Sequence, residues 1–585
     1  MSDSMMGESS LEDLQHWTWV MGRAQQMMME FWAAQSAHRT DHASQLPGVF
    51  DEWMKNALPE PVAQIAEAQQ RLWNDSIGLW RRLIDVDVAD SASTADRDPR
   101  FADPQWRENP IADQIRQTYL LLSEQIFAGV EAVEGIDAEA GQRLRFFTRQ
   151  FVEAMSPANF VATSPLIWQK IVETRGESLL KGLEHMLSDL AHGQLTQSKP
   201  GAFEIGRDIA TTPGKVIKET PLYQLIQYAP TTGMVAGTPL VIFPPWINRF
   251  YILDLGPKKS FIRWAVEQGL SVFILSWKSA DASIANVLLD DYVRAQIEAI
   301  DTVRALLDVP DVHVIGYCVA GTTLAATLAL LAARGEGGKV ASATFFAAQV
   351  DFSRAGDLKL FTDDAALTLI EGLTAEAGYL DGRYMALTFN MLRGRDLIWN
   401  YVVNNYLMGK DYAPLDLLHW NADYTNLPAK WHRAYIEDFY RDNKLVQPGA
   451  MIIDGTAIDL TKVTTPAYVQ AGREDHIAPA DSVWKLTEHF TGPVRFVLAG
   501  SGHIAGVINP PSANRYSYWT NAKPGDSLDS FIAGAVETPG SWWPDWRRWL
   551  ATYSAPAVMA QGARIPGGGA MPALEDAPGR YVRMR

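Results

Sequence analysis

Only one cysteine, Cys318, occurs in the 585 residues. No internal disulfide can form, which fits a reducing compartment such as the cytosol. Basic residues are also scarce: 51 Lys and Arg stand against 68 Asp and Glu, a net charge of −17. That balance argues against nucleic acid or anionic lipid as the main partner. The opening residues MSDSMMGESSLEDL lack the basic region and apolar run of a secretory signal. Charge is missing altogether from Val312 to Ala333, a run long enough to span a bilayer. Gly316, Gly321, Thr322, Thr323 and Thr327 interrupt it, so no transmembrane segment is expected. What the chain does have is 47% hydrophobic residues and 20 tryptophans, enough for a large core. The length predicts two domains.

The charge-free run itself carries the chemistry. Val312, Val314 and Ile315 suit a buried strand, and Thr322 to Ala333 is rich in helix formers. Between them lies Gly316-Tyr317-Cys318-Val319-Ala320-Gly321. Strand, tight turn and helix with a nucleophile at the apex describe a nucleophile elbow, here with sulfur in place of the usual serine oxygen. A free cysteine is often only a small core residue. Cys318 is read as the nucleophile because the chain's one cysteine falls at the one position where the motif needs it. A helix N-terminus behind the sulfur favours thiolate.

The rest of the chain divides near residue 200. Ser9-Ser10-Leu11-Glu12 reads as a capping box. Leu14, Trp17, Met21, Ala24, Met28 and Phe31 follow as an apolar seam at heptad spacing. Two readings stay open for this helix: packing on its own domain, or a sticky face for a partner or hydrophobic surface, which methionine suits. Further helices are expected over Val62 to Asp85, Ile111 to Ala128, Ala138 to Met155 and Pro165 to Ala191, with Val86 to Pro110 as a linker. Residues 1–200 therefore form a mainly helical N-terminal domain, expected to serve assembly or contact with a hydrophobic surface.

From about Thr238 strands and helices alternate. Strands are predicted at Pro239 to Phe243, Leu270 to Ser276, Val340 to Ala347, Thr464 to Ala471 and Val494 to Leu498, besides the elbow strand. The pattern predicts a mostly parallel α/β sheet over residues 201–585. The aromatic stretch at about 351–463 is too long for a loop and is read as an inserted cap subdomain. Residues Gln561 to Arg585, with Gly567-Gly568-Gly569 and three prolines, are expected to be poorly ordered.

An α/β-hydrolase orders its triad as nucleophile, acid, histidine. After Cys318, the strand ending in Gly472-Arg473-Glu474-Asp475-His476 offers the acid, and Gly500-Ser501-Gly502-His503 offers the base. Asp475 is preferred over Glu474 by position. His476 lies at the acid-bearing turn and is not the base. The oxyanion hole needs two convergent N–H groups. Val319 supplies one, and Ile247, in Pro244-Pro245-Trp246-Ile247-Asn248, is chosen for the other.

These motifs resemble the polyhydroxyalkanoate synthases. Gly316 to Gly321 is similar to their lipase-like box, with Ala320 where a second glycine is common. Asp396 to Tyr406 (DLIWNYVVNNY), Gly500 to Pro511 (GSGHIAGVINPP) and Ser541 to Trp546 are long further matches. The similarity runs from about Asp96 to Leu550, and length and layout resemble the class I enzymes. The resemblance implies an α/β-hydrolase fold with a cap. It implies an acyltransferase that polymerises short (R)-3-hydroxyacyl-CoA, such as 3-hydroxybutyryl-CoA, through a covalent thioester on Cys318. Coenzyme A is then part of the substrate and is released; no cofactor and no metal are expected. The implied partners are the growing polyester, the granule surface, granule-associated proteins and a second copy in a homodimer, in the cytoplasm. A cysteine esterase or thioesterase and a non-catalytic granule-coat protein are the competing readings.

Overall fold

The computed structural model describes residues 16–31, 98–133 and 135–585. The capping box, Leu14, the helix expected at Val62 to Asp85 and the start of the linker lie outside these residues. The chain forms two compact units. One contains the chain up to Pro200 together with Leu387–Ala413, and the other contains Gly201–Ala386 and Pro414–Arg585.

The first unit is helical. Its main helices are α1 (Pro110–Glu131), α2 (Ala138–Ala154), α3 (Pro165–Glu173) and α4 (Glu177–His192). Asn109 caps α1 by accepting from the Ile111 and Ala112 amides, with Pro110 at the first helical position, and Asp137 caps α2. The segment read as a linker is packed from residue 98 onward. Phe101 and Trp106 are fully buried and meet edge to face at 4.9 Å. Two large aromatics gain more from burial than the intervening Asp and Pro residues lose, so composition alone misled there. A helix over 16–31 rests its Trp17 and Val20 against the α3–α4 turn, where Gly176 has φ +87°.

The insert at about 351–463 is not one body, contrary to expectation. Leu387–Ala413 belongs with the helical unit because α4 receives it. The Tyr406 hydroxyl donates to Asp189 at 2.5 Å, and Gln197 Nε2 donates to the Leu397 carbonyl at 2.8 Å. Gly182 lets the two backbones touch; any Cβ there would collide with the Tyr406 carbonyl.

The second unit is built on one 11-stranded sheet. In chain order its strands are β1 (Gly214–Glu219), β2 (Tyr223–Tyr228), β3 (Leu240–Phe243), β4 (Val272–Trp277), β5 (Val312–Tyr317), β6 (Val340–Phe346), β7 (Ala467–Gly472), β8 (Val494–Ala499), β9 (Ser517–Thr520), β10 (Val536–Pro539) and β11 (Glu575–Asp576). The spatial order is β10-β9-β8-β7-β6-β5-β3-β4-β2-β1-β11. The strands from β4 to β8 pair in parallel, and antiparallel strands close both edges. Helices α5 (Phe261–Glu267), α6 (Leu289–Leu307), α7 (Val319–Ala333), α8 (Ala429–Tyr435) and α9 (Trp543–Ala551) accompany the sheet. This is the α/β-hydrolase fold, with a mixed sheet.

Burial explains the charge-free run. Every residue of α7 from Val319 to Leu331 is buried. Its threonines are satisfied inside: Thr327 Oγ1 donates to Gln296 of α6 at 2.7 Å, and Thr322 Oγ1 to the Gln349 carbonyl at 2.7 Å. No helix among the described residues is long and apolar enough to cross a membrane.

The C-terminal tail departs from expectation. Glu575–Asp576 pairs with β1, and Tyr581 and Val582 are buried. Arg564 is buried too, donating to the Ala236 and Gly237 carbonyls and to Ser271. The segment is held by these anchors, Arg564 before the glycine run and Tyr581 and Val582 after it.

Candidate active site

The elbow forms where β5 meets α7. Cys318 has φ +52° and ψ −127°, a conformation that costs about 1–3 kcal/mol and holds the thiol at the apex. Its amide donates to the Phe346 carbonyl at 2.9 Å, tying the turn to β6. The two glycines of the motif allow the crossing. A Cβ at Gly316 would lie 2.5 Å from Gly321 Cα, and one at Gly321 would collide with the Ala348 methyl. Ala320, the departure from the family pattern, sits fully buried within α7 and needs no glycine.

Strands β7 and β8 deliver the acid and the base side by side. Asp475 Oδ2 lies 2.7 Å from His503 Nδ1. The other oxygen, Oδ1, accepts from the Ile477 and Ala478 amides at 2.9 and 2.8 Å, which fixes the carboxylate's orientation. Glu474 is exposed and His476 half-buried. His503 also lies close enough to Cys318 for the sulfur to influence its charge. Burial alone would lower its imidazole, but the charges of Asp475 and Cys318, with the hydrogen bond to Asp475, push it up to about 10. The structure thus brings Cys318, His503 and Asp475 together, with a hydrogen bond between the last two.

Val319 opens α7, so its N–H has no partner within the helix. Phe243 of β3 pairs with Gly316 of β5, so the loop leaving β3 emerges beside the elbow. That loop, 244–249, carries Ile247, which is half-buried against the core that includes Val319. Trp246 anchors it, stacked on Tyr292 at 3.8 Å and edge-on to Trp277 and Trp431.

Four polar neighbours of the site escaped sequence reasoning. The Tyr317 hydroxyl donates to the His503 carbonyl at 3.0 Å. Tyr435 and Tyr440 have rings 5.6 Å apart, and Gln349 Nε2 donates to the Tyr440 hydroxyl at 3.3 Å. Burial, then the neighbouring charges including that of Cys318, raises both phenols, so both remain protonated donors. Residues five apart share a face only where the backbone is π-helical, as it is over Ile436–Arg441. A search at 3.6-residue spacing passes over such a pair. Among the described residues no cluster of His, Cys, Asp and Glu is arranged to hold a metal ion.

Residues 97–265 match the family described as poly-beta-hydroxybutyrate polymerase (PhaC) N-terminus, and residues 256–510 match the alpha/beta hydrolase fold. The chain is 43% identical over 555 residues to the poly(3-hydroxyalkanoate) polymerase subunit PhaC of Rhizobium meliloti (strain 1021), covering 93% of this chain and 89% of that one. The chain belongs to the polyhydroxyalkanoate polymerase family. It is also 44% identical to the poly(3-hydroxyalkanoate) polymerase of Methylorubrum extorquens, covering 92% of this chain and 89% of the relative. The polymerase subunit PhaC of Cupriavidus necator (strain ATCC 17699) is 42% identical, with 89% of each chain covered. As a member of this polymerase family, the chain carries sulfur at the elbow with an imidazole and a carboxylate behind it.

Proposed function

We propose that this protein polymerises (R)-3-hydroxyacyl-CoA of short chain length into polyhydroxyalkanoate, with Cys318, His503 and Asp475 as its catalytic triad. The observation that carries the reading is the His503–Asp475 pair at 2.7 Å beside an elbow whose apex is the sulfur of Cys318. The Cys318 thiolate attacks the thioester carbonyl of the substrate. The oxyanion is stabilised by the amides of Val319 and Ile247. The C–S bond to coenzyme A breaks, and the coenzyme A sulfur takes the proton held on His503. A thioester on Cys318 has replaced a thioester on coenzyme A, so the acyl group stays activated. An oxygen ester on serine would lose most of that activation. His503 then removes the proton from a 3-hydroxyl group, that oxygen attacks the Cys318 thioester, and an ester bond forms as the thiolate leaves. Asp475 holds the imidazole tautomer and stabilises its cation.

The cycle needs no resident cofactor. Its partners are the acyl-CoA, the growing polyester and its granule surface, granule-associated proteins, and a second copy in a homodimer, in the cytoplasm. Cys318→Ala tests the reading: release of coenzyme A and covalent labelling by radioactive 3-hydroxybutyryl-CoA should both vanish. Cys318→Ser should be far slower, since the alcohol is much harder to deprotonate. Label retained covalently by the Ala variant, or free hydroxyacid released in place of polymer by the parent protein, overturns it.

A further inference from the structure

The loop that carries Ile247 is gripped from two sides. On one side, Thr425 Oγ1 donates to the Trp246 carbonyl at 2.5 Å, Asn248 pairs with Tyr424 in an antiparallel bridge, and Trp420 Nε1 donates to the Arg249 carbonyl at 2.7 Å. On the other side stand the last five residues of the chain. Arg249 Nη2 donates to the Met584 carbonyl at 2.6 Å, and Nη1 to the Tyr581 carbonyl at 3.4 Å. Arg249 Nε lies 3.4 Å from Asp423 Oδ1. Asp423 also accepts from the Tyr251 hydroxyl at 2.8 Å and from Arg585 Nη2 at 3.4 Å. The tail is itself fixed: the Tyr581 amide donates to Gln224 Oε1 at 3.1 Å, and its hydroxyl to the Thr220 carbonyl at 2.7 Å.

A guanidinium only 1% exposed is an expensive way to fill space. Burial alone destabilises it, with Asp423 partly offsetting the loss. An apolar side chain of the same volume would serve stability as well. What it could not do is donate to two carbonyls of the last residues while its charge faces the Asp423 carboxylate, two residues from Ile247.

We propose that Arg249 is a positioning residue for the oxyanion loop, and that the C-terminal residues Tyr581 to Arg585 are the other half of its clamp. The clamp sets where the Ile247 N–H points, and so acts on acyl transfer without touching substrate. This rests on the triad and oxyanion roles proposed above. A donor misplaced by about 1 Å costs on the order of 100-fold in rate.

Two reactions of Cys318 separate the clamp from general support of the fold. Alkylation by iodoacetamide displaces iodide at a saturated carbon and forms no oxyanion. Acylation by 3-hydroxybutyryl-CoA forms one. Both are to be measured in single turnover on the full chain, on Arg249→Met, on Arg249→Lys and on a chain ending at Arg583. Arg249→Met and the shortened chain should acylate about 100-fold more slowly, yet alkylate within about 2-fold of the parent. Arg249→Lys, which keeps the charge but not the fork, should recover part of the acylation rate. Equal losses in both reactions, or no loss in either, overturn the clamp. If Arg249→Met does not fold, the Lys variant and the shortened chain decide between the same two outcomes. A parent protein that still releases coenzyme A after alkylation of Cys318 refutes the nucleophile assignment, and the clamp with it.

Discussion

Asp475 uses its two oxygens differently, and the difference is measurable. Its Oδ1 accepts from two backbone amides, whereas Oδ2 faces an imidazole whose charge changes with pH. The folded His503 is raised from 6.5 to about 10. A group raised on folding contributes stability in full below its unfolded value and loses that contribution as pH rises toward the folded one. Asp475→Asn should therefore lower the melting temperature most near pH 6 and progressively less toward pH 10. A difference that is constant over this range would mean that the pair carries no charge-linked stability. In catalysis, His503→Ala should block polymerisation almost completely. Asp475→Asn should retain some acylation and lose more of elongation, because a hydroxyl is a weaker acid than a thiol; separate measurement of the two half-reactions checks this, and equal losses refute it. The elbow glycines act by volume instead. Gly321→Ala sets a methyl against Ala348, so it should cost about 1–3 kcal/mol in denaturant unfolding and slow alkylation of Cys318. A fully stable and active variant would show that the crossing of β5 and α7 has room to spare.

Among the elements, the parts of the insert that belong to the hydrolase unit are pinned at their root. Asp351 accepts from Ser353 and from Asn443, and its carbonyl accepts from Ser482 at 2.6 Å. Any opening over Cys318 must therefore arise beyond those anchors. Hydrogen exchange with a non-transferable acyl-CoA analogue should add protection in 364–386 and 414–428, and leave the amides of 351–353 unchanged. No change in either span would discard a moving cap. The core strands were legible in the sequence because they are short, β-branched and bounded by turns. Their observed ends shift only slightly, as at Ala467–Gly472 and Val272–Trp277. The antiparallel strands β1 and β2 were not legible. Lys215, Lys218 and Gln224 make β1 and β2 read as polar, yet their heads pair with Asp576, Glu298 and Glu219, which sequence cannot reveal. The candidate triad was legible through chain order and strand ends. The residues around it were not, because Tyr440 meets Gln349 only through the π-helical turn, and Arg249 meets Met584 only through the folded-back tail.

For the molecule as a whole, a net charge of −17 makes like copies repel and keeps most of the surface wet. Against that background the helix over 16–31 stands out. Val20 is buried and Trp17 leans on Gly176, so one edge of the helix is fixed to its own unit. Trp19, Met21, Met28 and Met29 are exposed. The seam residues Met21 and Met28 therefore remain uncovered, which favours the second of the two readings of this helix, a face for something outside the unit. An apolar polyester surface fits a face of this chemistry, because it offers no charge to match and methionine adapts to an irregular wall. Deleting residues 1–35 should then leave the alkylation rate of Cys318 unchanged while weakening attachment to isolated polymer granules or self-association. Sedimentation with granules and analytical ultracentrifugation read the two effects separately. Undiminished granule binding together with an unchanged oligomeric state would return this helix to a purely internal role.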